Sequence, residues 1–580
     1  MESSTFEFGA HNQGNQIGNN SGNIYFTNSS SQGNNTYDLR KLRELLPCVK
    51  NAIFNSNSIE SPSFCHPKTR VQVLENIHRW IHGDNRHIFW LKGLAGSGKS
   101  TIARTIAQDC SNSQTGCESL WVATFFFSDK VRSADQLVTS IAHQLMTHPP
   151  FGEILGETLW RDSGALGILL PDQWMRMIWD PLSKMETKLL TLVIVIDALD
   201  ECEEQEKLTQ FLRRVEENSQ AGQVRLRLLV TSRMTVLDYF TRQTSSCALQ
   251  DIPVHEDIRI FLNNTLKKET VACDKQIDDL VRMSGGLFLW AETARRYITK
   301  GPKHTLMKRD RLEEILAGHK DSETIKALDS IYSTVLESPL RDSEKTIEKE
   351  KDLKKFRRKV EVCTSIKRLL GDIVVLFSPL SPKSLGGLIS QSPNNIRATL
   401  QDYRAIIDVP EDDSRSLRMH HACFGEFLFD EQRSGSGKIS FHVNSQQAHR
   451  EMTTHCIRVM REMLRQNICG CASLCAPITE MKEENIASEI NYACRHWTKH
   501  LRQSKSFTIE SADVLSFLKA HFIHWLETMS VLRRISEVVR SIKYLHSFSH
   551  AEVTNLIFPI YVIDILKNDL GKCRTIRLST

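Results

Sequence analysis

Residues 93–101 have the types and spacing that hold phosphate groups. The stretch GLAGSGKST fits the pattern G-x-x-x-x-G-K-[ST] completely. Glycines let such a loop turn its backbone N–H groups onto phosphate oxygens, the lysine reaches the terminal phosphates, and the Ser100 hydroxyl ligates Mg²⁺. The helix that follows directs its positive N-terminal end at the same anion. The predicted phosphate-binding residues are Gly93, Leu94, Ala95, Gly96, Ser97, Gly98, Lys99, Ser100 and Thr101.

Three acidic residues follow a second apolar run, LVIVIDALDE. An apolar strand there would deliver Asp197 to its carboxyl end, where a carboxylate can hold magnesium directly or through water. Asp200 and Glu201 come next in the chain. One of these two is predicted to orient or deprotonate the attacking water, and the residues alone leave open which.

A third apolar run, VRLRLLVTSR, ends in Arg233. Ligands of open α/β sheets bind at the carboxyl ends of the strands, so an arginine at this position can sense the terminal phosphate. The plainer interpretation is a surface arginine that follows a strand.

Four near-continuous apolar runs predict the sheet that positions these residues. The runs are RHIFWLKG, WVATFFFS, LLTLVIVID and VRLRLLVTS, and they alternate with helical patterns. Parallel strands covered on both faces have this composition. We therefore predict a multidomain fold, α/β followed by all-α, with a parallel P-loop sheet, a helical domain, a winged-helix-like domain and a C-terminal helical region. The predicted boundaries are 1–37, 38–70, 71–253, 254–340, 341–362 (a charged helix), 363–447 and 448–580.

Composition excludes several classes of protein. The 580 residues carry a formal charge of only +5, with basic and acidic residues interleaved, which argues against nucleic acid as a partner. Apolar runs are too short for a bilayer, and the 15 cysteines are scattered, so we expect a cytoplasmic chain with no membrane partner. The cluster CGCASLC lacks the paired spacing of a zinc site, and we expect ordinary thiols there.

The first 37 residues are rich in Asn, Gly, Ser and Gln and hold no charged residue between Glu7 and Asp38. Such a segment cannot build an ordinary core, which favours disorder. Uncharged Asn/Gln-rich stretches also stack into cross-β ladders. Two interpretations stay open: a disordered tail, or a signalling motif of the amyloid type.

The three motifs, in this order, resemble the NACHT group of signal-transducing (STAND) NTPases, with a nephrocystin-3-like N-terminal NTPase region. Further segments, among them SGGLFLWAETARRYI, FSPLSPKSLGGLI and HHACFGEFLFD, resemble a set of basidiomycete NACHT proteins. The resemblance implies a slow NTPase switch that binds ATP (or GTP) with Mg²⁺ and forms a homo-oligomer when activated. It also implies a downstream effector that is reached through the N-terminal segment, and a role in fungal non-self recognition or programmed cell death.

The resemblance assigns further site residues. Thr69 and Arg70 match the segment that lies near the base, and His421 matches a histidine that contacts ADP, although MHH leaves the register against His420 open. Leu287 stands where many related receptors have a base-packing proline. Two other functions remain as alternatives: a P-loop kinase or other ATP-using enzyme, and a winged-helix regulator that binds nucleic acid.

Overall fold

In the computed structural model, the chain forms two compact units, Met1–Pro253 and Val254–Thr580. The residues that the structure describes are 16–20, 23–27, 43, 46–55, 64–83, 86–112, 119–128, 131–161, 168–186, 190–218, 220–221, 223–233, 244–300, 305–317, 324–345, 352–413, 415–435, 440–468, 486–505, 507–532 and 534–547.

A six-stranded sheet forms the centre of the first unit. Its strands are β3 (Ile88–Lys92), β4 (Ser119–Phe126), β5 (Leu190–Asp197), β6 (Gln220–Ala221), β7 (Val224–Ser232) and β8 (Thr244–Ala248). Five of them are parallel in the order β4-β5-β7-β3-β8, and the short β6 pairs antiparallel with β7. The predicted parallel P-loop sheet is confirmed.

Helices cover both faces of this sheet. They are α1 (Val71–Gly83), α2 (Lys99–Asn112), α3 (Leu137–Leu145), α4 (Pro149–Arg161), α5 (Leu170–Trp174), α6 (Asp180–Ser183) and α7 (Gln205–Glu216), with a π-helical stretch at Met175–Trp179 and 3-10 turns at Lys50–Ala52, Leu199–Glu201 and Leu249–Asp251. On β5, Ile194 and Ile196 enter one buried cluster, while Val193 and Val195 enter the other, which α1 and α2 cover. This double burial explains why the middle of the strand, residues 192–196, is apolar at every position.

The strand order decides which motifs become neighbours. Because β7 lies between β3 and β5, Lys92 pairs with Ser232, and Thr231 lies at the level of Leu91. On the other side of β7, Ile196 pairs with Val230, so the next residue of each strand also meets at the same edge. The phosphate loop, the end of β7 and the end of β5 therefore follow one another along one edge of the sheet.

The described residues of the second unit form helices and one small ladder. Its helices are α8 (His255–Leu262), α9 (Asp274–Met283), α10 (Phe288–Thr299), α11 (Thr305–Leu316), α12 (Thr324–Lys345), α13 (Asp352–Val374), α14 (Pro382–Ile389), α15 (Pro393–Leu400), α16 (Cys423–Phe429), α17 (Glu431–Ser434), α18 (Ser445–Met463), α19 (Ser488–Ser504), α20 (Phe507–Val531) and α21 (Ile535–Ser547), with a π-helical stretch at Asn263–Lys267 and a 3-10 turn at Gln401–Tyr403. The antiparallel ladder joins β9 (Ile407–Asp408) to β10 (Arg418–Met419). No described helix is long and apolar enough to cross a membrane.

The N-terminal segment contains a hairpin where the sequence favours disorder. Strand β1 (Gln16–Asn20) pairs antiparallel with β2 (Asn23–Thr27). The pairing includes the β-prone residues Ile24, Tyr25 and Phe26, which gives a physical reason for the difference. The other residues of 1–37, residues 38–42, 44–45 and 56–63 of the predicted lead-in, the cysteines of CGCASLC and residues 346–351 of the predicted charged helix lie outside the described residues. The predicted domain boundaries stay predictions.

Candidate nucleotide site

The phosphate loop connects β3 to α2 and needs glycine at defined positions. Gly96 and Gly98 have φ of +76° and +96°, a backbone conformation that side chains disfavour. A Cβ on Gly93 would lie 2.7 Å from Ser97 Oγ, so a side chain there would disturb the loop from inside. Helix α2 begins directly at Lys99, which places the positive end of a 14-residue helix at the loop.

Two cationic side chains brace this loop. Lys99 Nζ donates hydrogen bonds to the carbonyl oxygens of Gly93, at 2.8 Å, and Leu94, at 3.0 Å. The buried Arg70 donates from Nη2 to the Ser97 carbonyl oxygen at 2.7 Å. Lys99 thus lies across the loop, and Arg70 supports the loop from the chain that precedes α1.

Thr69 and Arg70 occupy a tight turn before α1. The buried Thr69 donates from both its amide and its hydroxyl to the His66 carbonyl oxygen. Lys68 and Arg70, on either side, have φ of +68° and +57°, which non-glycine residues adopt at a cost of about 1–2 kcal/mol each. The structure thus places Arg70 against the phosphate loop. A role for either residue at the base stays a prediction.

Asp197 ends β5 and is held by a hydroxyl from the neighbouring strand. The Thr231 Oγ1 atom donates to Asp197 Oδ1 at 2.6 Å and accepts from the amide of Ala198 at 3.0 Å. Asp197 is only 2% exposed. This bond fixes the orientation of the carboxylate that the sequence assigns to magnesium.

Asp200 and Arg233 form a close pair at the same edge. Arg233 donates its backbone N–H to Asp200 Oδ1 at 3.0 Å, and its Nε lies 3.1 Å from Asp200 Oδ2. The pair forms because Ala198 adopts φ +57° and starts a 3-10 turn, Leu199–Glu201, that brings Asp200 back against the end of β7. The buried Leu199 anchors that turn in the core.

The sequence-predicted residues fall into two groups. The loop residues, Asp197, Asp200 and Arg233 come together in the first unit, and Glu201 lies in the same turn as Asp200. His421 lies in the second unit, where its Nδ1 accepts from the Cys423 amide at 3.1 Å as α16 begins. The neighbouring His420 lies 3.1 Å from the Arg404 carbonyl oxygen through Nε2, and burial lowers its pKa to about 4.

Sequence reasoning missed Thr231 as a positioning residue. Its hydroxyl meets Asp197 because β7 lies beside β5, and the sequence carries no signal of that strand order. Leu287, noted only as a departure from related receptors, is buried as the N-cap of α10, directly after the glycines Gly285 and Gly286, which have positive φ.

The chemistry of this edge fits a nucleotide with Mg²⁺. Main-chain N–H groups in a glycine loop, a helix N-terminus and Lys99 favour phosphate, while the Ser100 hydroxyl and the Asp197 carboxylate are oxygen ligands of the kind that Mg²⁺ prefers. Among the residues that the structure describes, no group of three or more His, Cys, Asp or Glu side chains could hold a metal by itself. Mg²⁺ would therefore bind here with substrate phosphates supplying further ligands.

Comparison with known proteins supports this reading of the first unit. Residues 69–233 match the family model "Nephrocystin 3, N-terminal". The vegetative incompatibility protein HET-E-1 of Podospora anserina is 21% identical over 527 residues, an alignment that covers 84% of this chain and 36% of that protein. The chain thus spans about a third of the length of this relative. The predicted resemblance to NACHT and STAND NTPases is confirmed.

Solved structures give weaker likenesses. A signal transduction ATPase with numerous domains (STAND) protein with a tetratricopeptide repeat sensor, from Pyrococcus horikoshii, shares 12% identity. The match has a TM-score of 0.37 and covers 88% of this chain and 69% of that one. PCH-2 of C. elegans shares 16% identity with a TM-score of 0.23, over 47% of this chain and 74% of its own. These TM-scores are too low to indicate a shared overall arrangement.

Proposed function

We propose that this chain, whose residues 69–233 match the nephrocystin 3 NTPase model, is a nucleotide-dependent switch that reads the terminal phosphate of ATP. The observation that carries the proposal is the assembly of three elements at one sheet edge: the phosphate loop, Asp197 held by Thr231, and Arg233 held by Asp200. The loop and the acids bind the phosphates and Mg²⁺. An arginine at the end of β7 contacts the third phosphate, which ATP has and ADP lacks.

Each residue has a role in this proposal. The loop amides and Lys99 hold the phosphates, whereas Ser100 and Asp197 hold Mg²⁺, which when bound neutralises charge on the phosphates. One of the two acids Asp200 and Glu201 supplies the acidic group for slow hydrolysis. Arg233 donates to the terminal phosphate, because a guanidinium is the side chain best suited to bind phosphate oxygens at a fixed angle.

The finer parts of the proposal come from the relatives. We propose that the ATP form assembles into a homo-oligomer and signals through residues 1–37 to an effector. HET-E-1 is a vegetative incompatibility protein, and this supports a role in fungal non-self recognition. The winged-helix-like segment 363–447 and a contact between His421 and the nucleotide belong to the same proposal.

Nucleotide binding by the purified chain tests the proposal. Lys99→Ala should weaken ATP binding about a hundredfold, because the lysine makes charge-assisted hydrogen bonds to phosphate. Lys184→Ala, which removes an exposed lysine outside the site, is the matched control and should bind like wild type. Wild-type affinity for ATP in Lys99→Ala would contradict the proposal. Phosphorylation of a small-molecule acceptor at about one turnover per second or faster would instead indicate a kinase.

A further inference from the structure

We infer that Asp200 is the positioning residue of Arg233 and thereby sets the preference of the site for ATP over ADP. The inference rests on the proposed function, in which Arg233 contacts the terminal phosphate. Its evidence is the pair of contacts between Asp200 and Arg233.

Both carboxylate oxygens of Asp200 are engaged by the same residue. One oxygen accepts the backbone N–H of Arg233 and the other lies 3.1 Å from its side-chain Nε. The first contact fixes the backbone where the side chain begins, and the second fixes the guanidinium at its inner end. An arginine has five N–H donors in a rigid plane, so holding Nε sets the direction of the whole group.

Burial favours this role. The Asp200 side chain is 13% exposed, whereas that of Arg233 is 37% exposed, so the acid is the more buried partner and the guanidinium the more accessible one. A side chain that contacts a phosphate must be accessible, whereas the group that holds it in place can be buried.

The local backbone explains why the pair is possible. Asp200 belongs to a short turn after β5, while Arg233 ends β7, the adjacent strand. The amide of Ala198 donates to Thr231, which ties the start of this turn to β7. The position of the sensor arginine is therefore linked to that of the Mg²⁺ carboxylate, because Thr231 also donates to Asp197.

This arrangement makes Asp200 a determinant of selectivity for ATP over ADP. Without it, the guanidinium loses its fixed direction and must be ordered when the nucleotide binds. Removing a negative charge near phosphates would by itself strengthen ATP binding, so a loss of selectivity has the opposite sign from a pure charge effect. A lower ratio of ATP to ADP affinity in Asp200→Asn therefore indicates the positioning role, and a higher ratio indicates a charge effect alone.

The test is equilibrium binding of ADP and of a non-hydrolysable ATP analogue to the full chain with Mg²⁺. Asp200→Asn should lower the ratio of ATP to ADP affinity about tenfold, the size of one charge-assisted hydrogen bond. In Arg233→Met, the same Asp200→Asn change should not lower that ratio further, because only the charge effect remains and its sign is the opposite one. Asp135→Asn, which removes an acid from an exposed pair with Lys207, is the matched control and should leave the ratio unchanged.

A neighbouring variant and thermal unfolding separate the remaining outcomes. Glu201→Gln removes the neighbouring acid of the same turn and should keep the selectivity. Without nucleotide, the unfolding midpoints of wild type, Asp200→Asn, Arg233→Met and the double variant should be non-additive, because the two residues are in contact. Additive midpoints would contradict that contact. Wild-type protein that binds neither nucleotide overturns the proposed function. Wild-type binding with unchanged or increased selectivity in Asp200→Asn overturns this inference alone.

Discussion

Replacing Thr231 by valine should separate Mg²⁺ binding from nucleotide binding. Valine keeps the shape of the buried side chain and removes the hydroxyl that donates to Asp197 and accepts from Ala198. The Asp197 carboxylate loses a charge-assisted hydrogen bond, and the Ala198 amide loses its acceptor. Bonds to charged groups contribute about 1.5–3 kcal/mol, so we expect the first unit to lose about 2 kcal/mol of stability.

The effect on the metal should be larger than the effect on the fold. Residues that orient a metal-ligating carboxylate typically change metal affinity by about 10–100-fold when they are removed. Calorimetric titration of Mg²⁺ into protein saturated with an ATP analogue measures this change. In EDTA, the variant should bind nucleotide as wild type does, because the phosphate loop is untouched.

The adjacent strand β5 offers a matched control in Thr191→Val. Thr191 is also buried in the sheet, and its hydroxyl has no hydrogen-bond partner among the described residues. Removing an unpaired buried hydroxyl should leave stability equal or higher, and Mg²⁺ affinity unchanged. Equal Mg²⁺ affinities in the two variants would refute the positioning role of Thr231.

Three further variants or conditions have expected outcomes. Burial raises the pKa of Asp372 from its ordinary 3.8 to about 7, so the folded protein favours the neutral form and loses stability as the pH rises from about 4 to 7. Asp372→Asn should therefore unfold at a higher temperature than wild type at pH 8, and the difference should vanish near pH 4. Burial lowers the pKa of His449 to about 4 and that of His500 well below its ordinary value. In Asp372→Asn, which removes the opposing titration, thermal scans should show stability present above about pH 6.5 and lost as the pH falls toward 4; a flat profile of this variant would contradict this. Gly93→Ala places a Cβ 2.7 Å from Ser97 Oγ and should weaken nucleotide binding about tenfold or more in an equilibrium titration.

The strands that bury both faces could be predicted from the sequence because their signal is local. The run LVIVI forms the middle of β5, where every residue is apolar and buried. Strand β8 was missed, because TSSCA carries no apolar run and is only partly buried. The other edge strand, β4, could be predicted because WVATFFFS is such a run. Small polar residues such as serine and threonine in a strand give composition little to indicate.

The site also has one part that the sequence predicts and one part that only the fold reveals. The loop residues were predictable because their spacing along the chain is the signal. The bonds from Thr231 to Asp197 and from Arg233 to Asp200 join residues that are far apart in sequence and meet only because β7 lies between β3 and β5. No periodicity reports a strand order, so these pairings required the fold.

The most direct test of the switch is the mass of the purified chain in solution with ADP and with a non-hydrolysable ATP analogue, measured by light scattering. Wild-type protein should be a monomer with ADP and at least a dimer with the analogue, and Lys99→Ala should stay monomeric with both. A parallel deletion of residues 1–37 shows whether assembly depends on that segment. Equal masses of the wild type with both nucleotides, or an ATP-driven increase that persists in Lys99→Ala, would contradict the account.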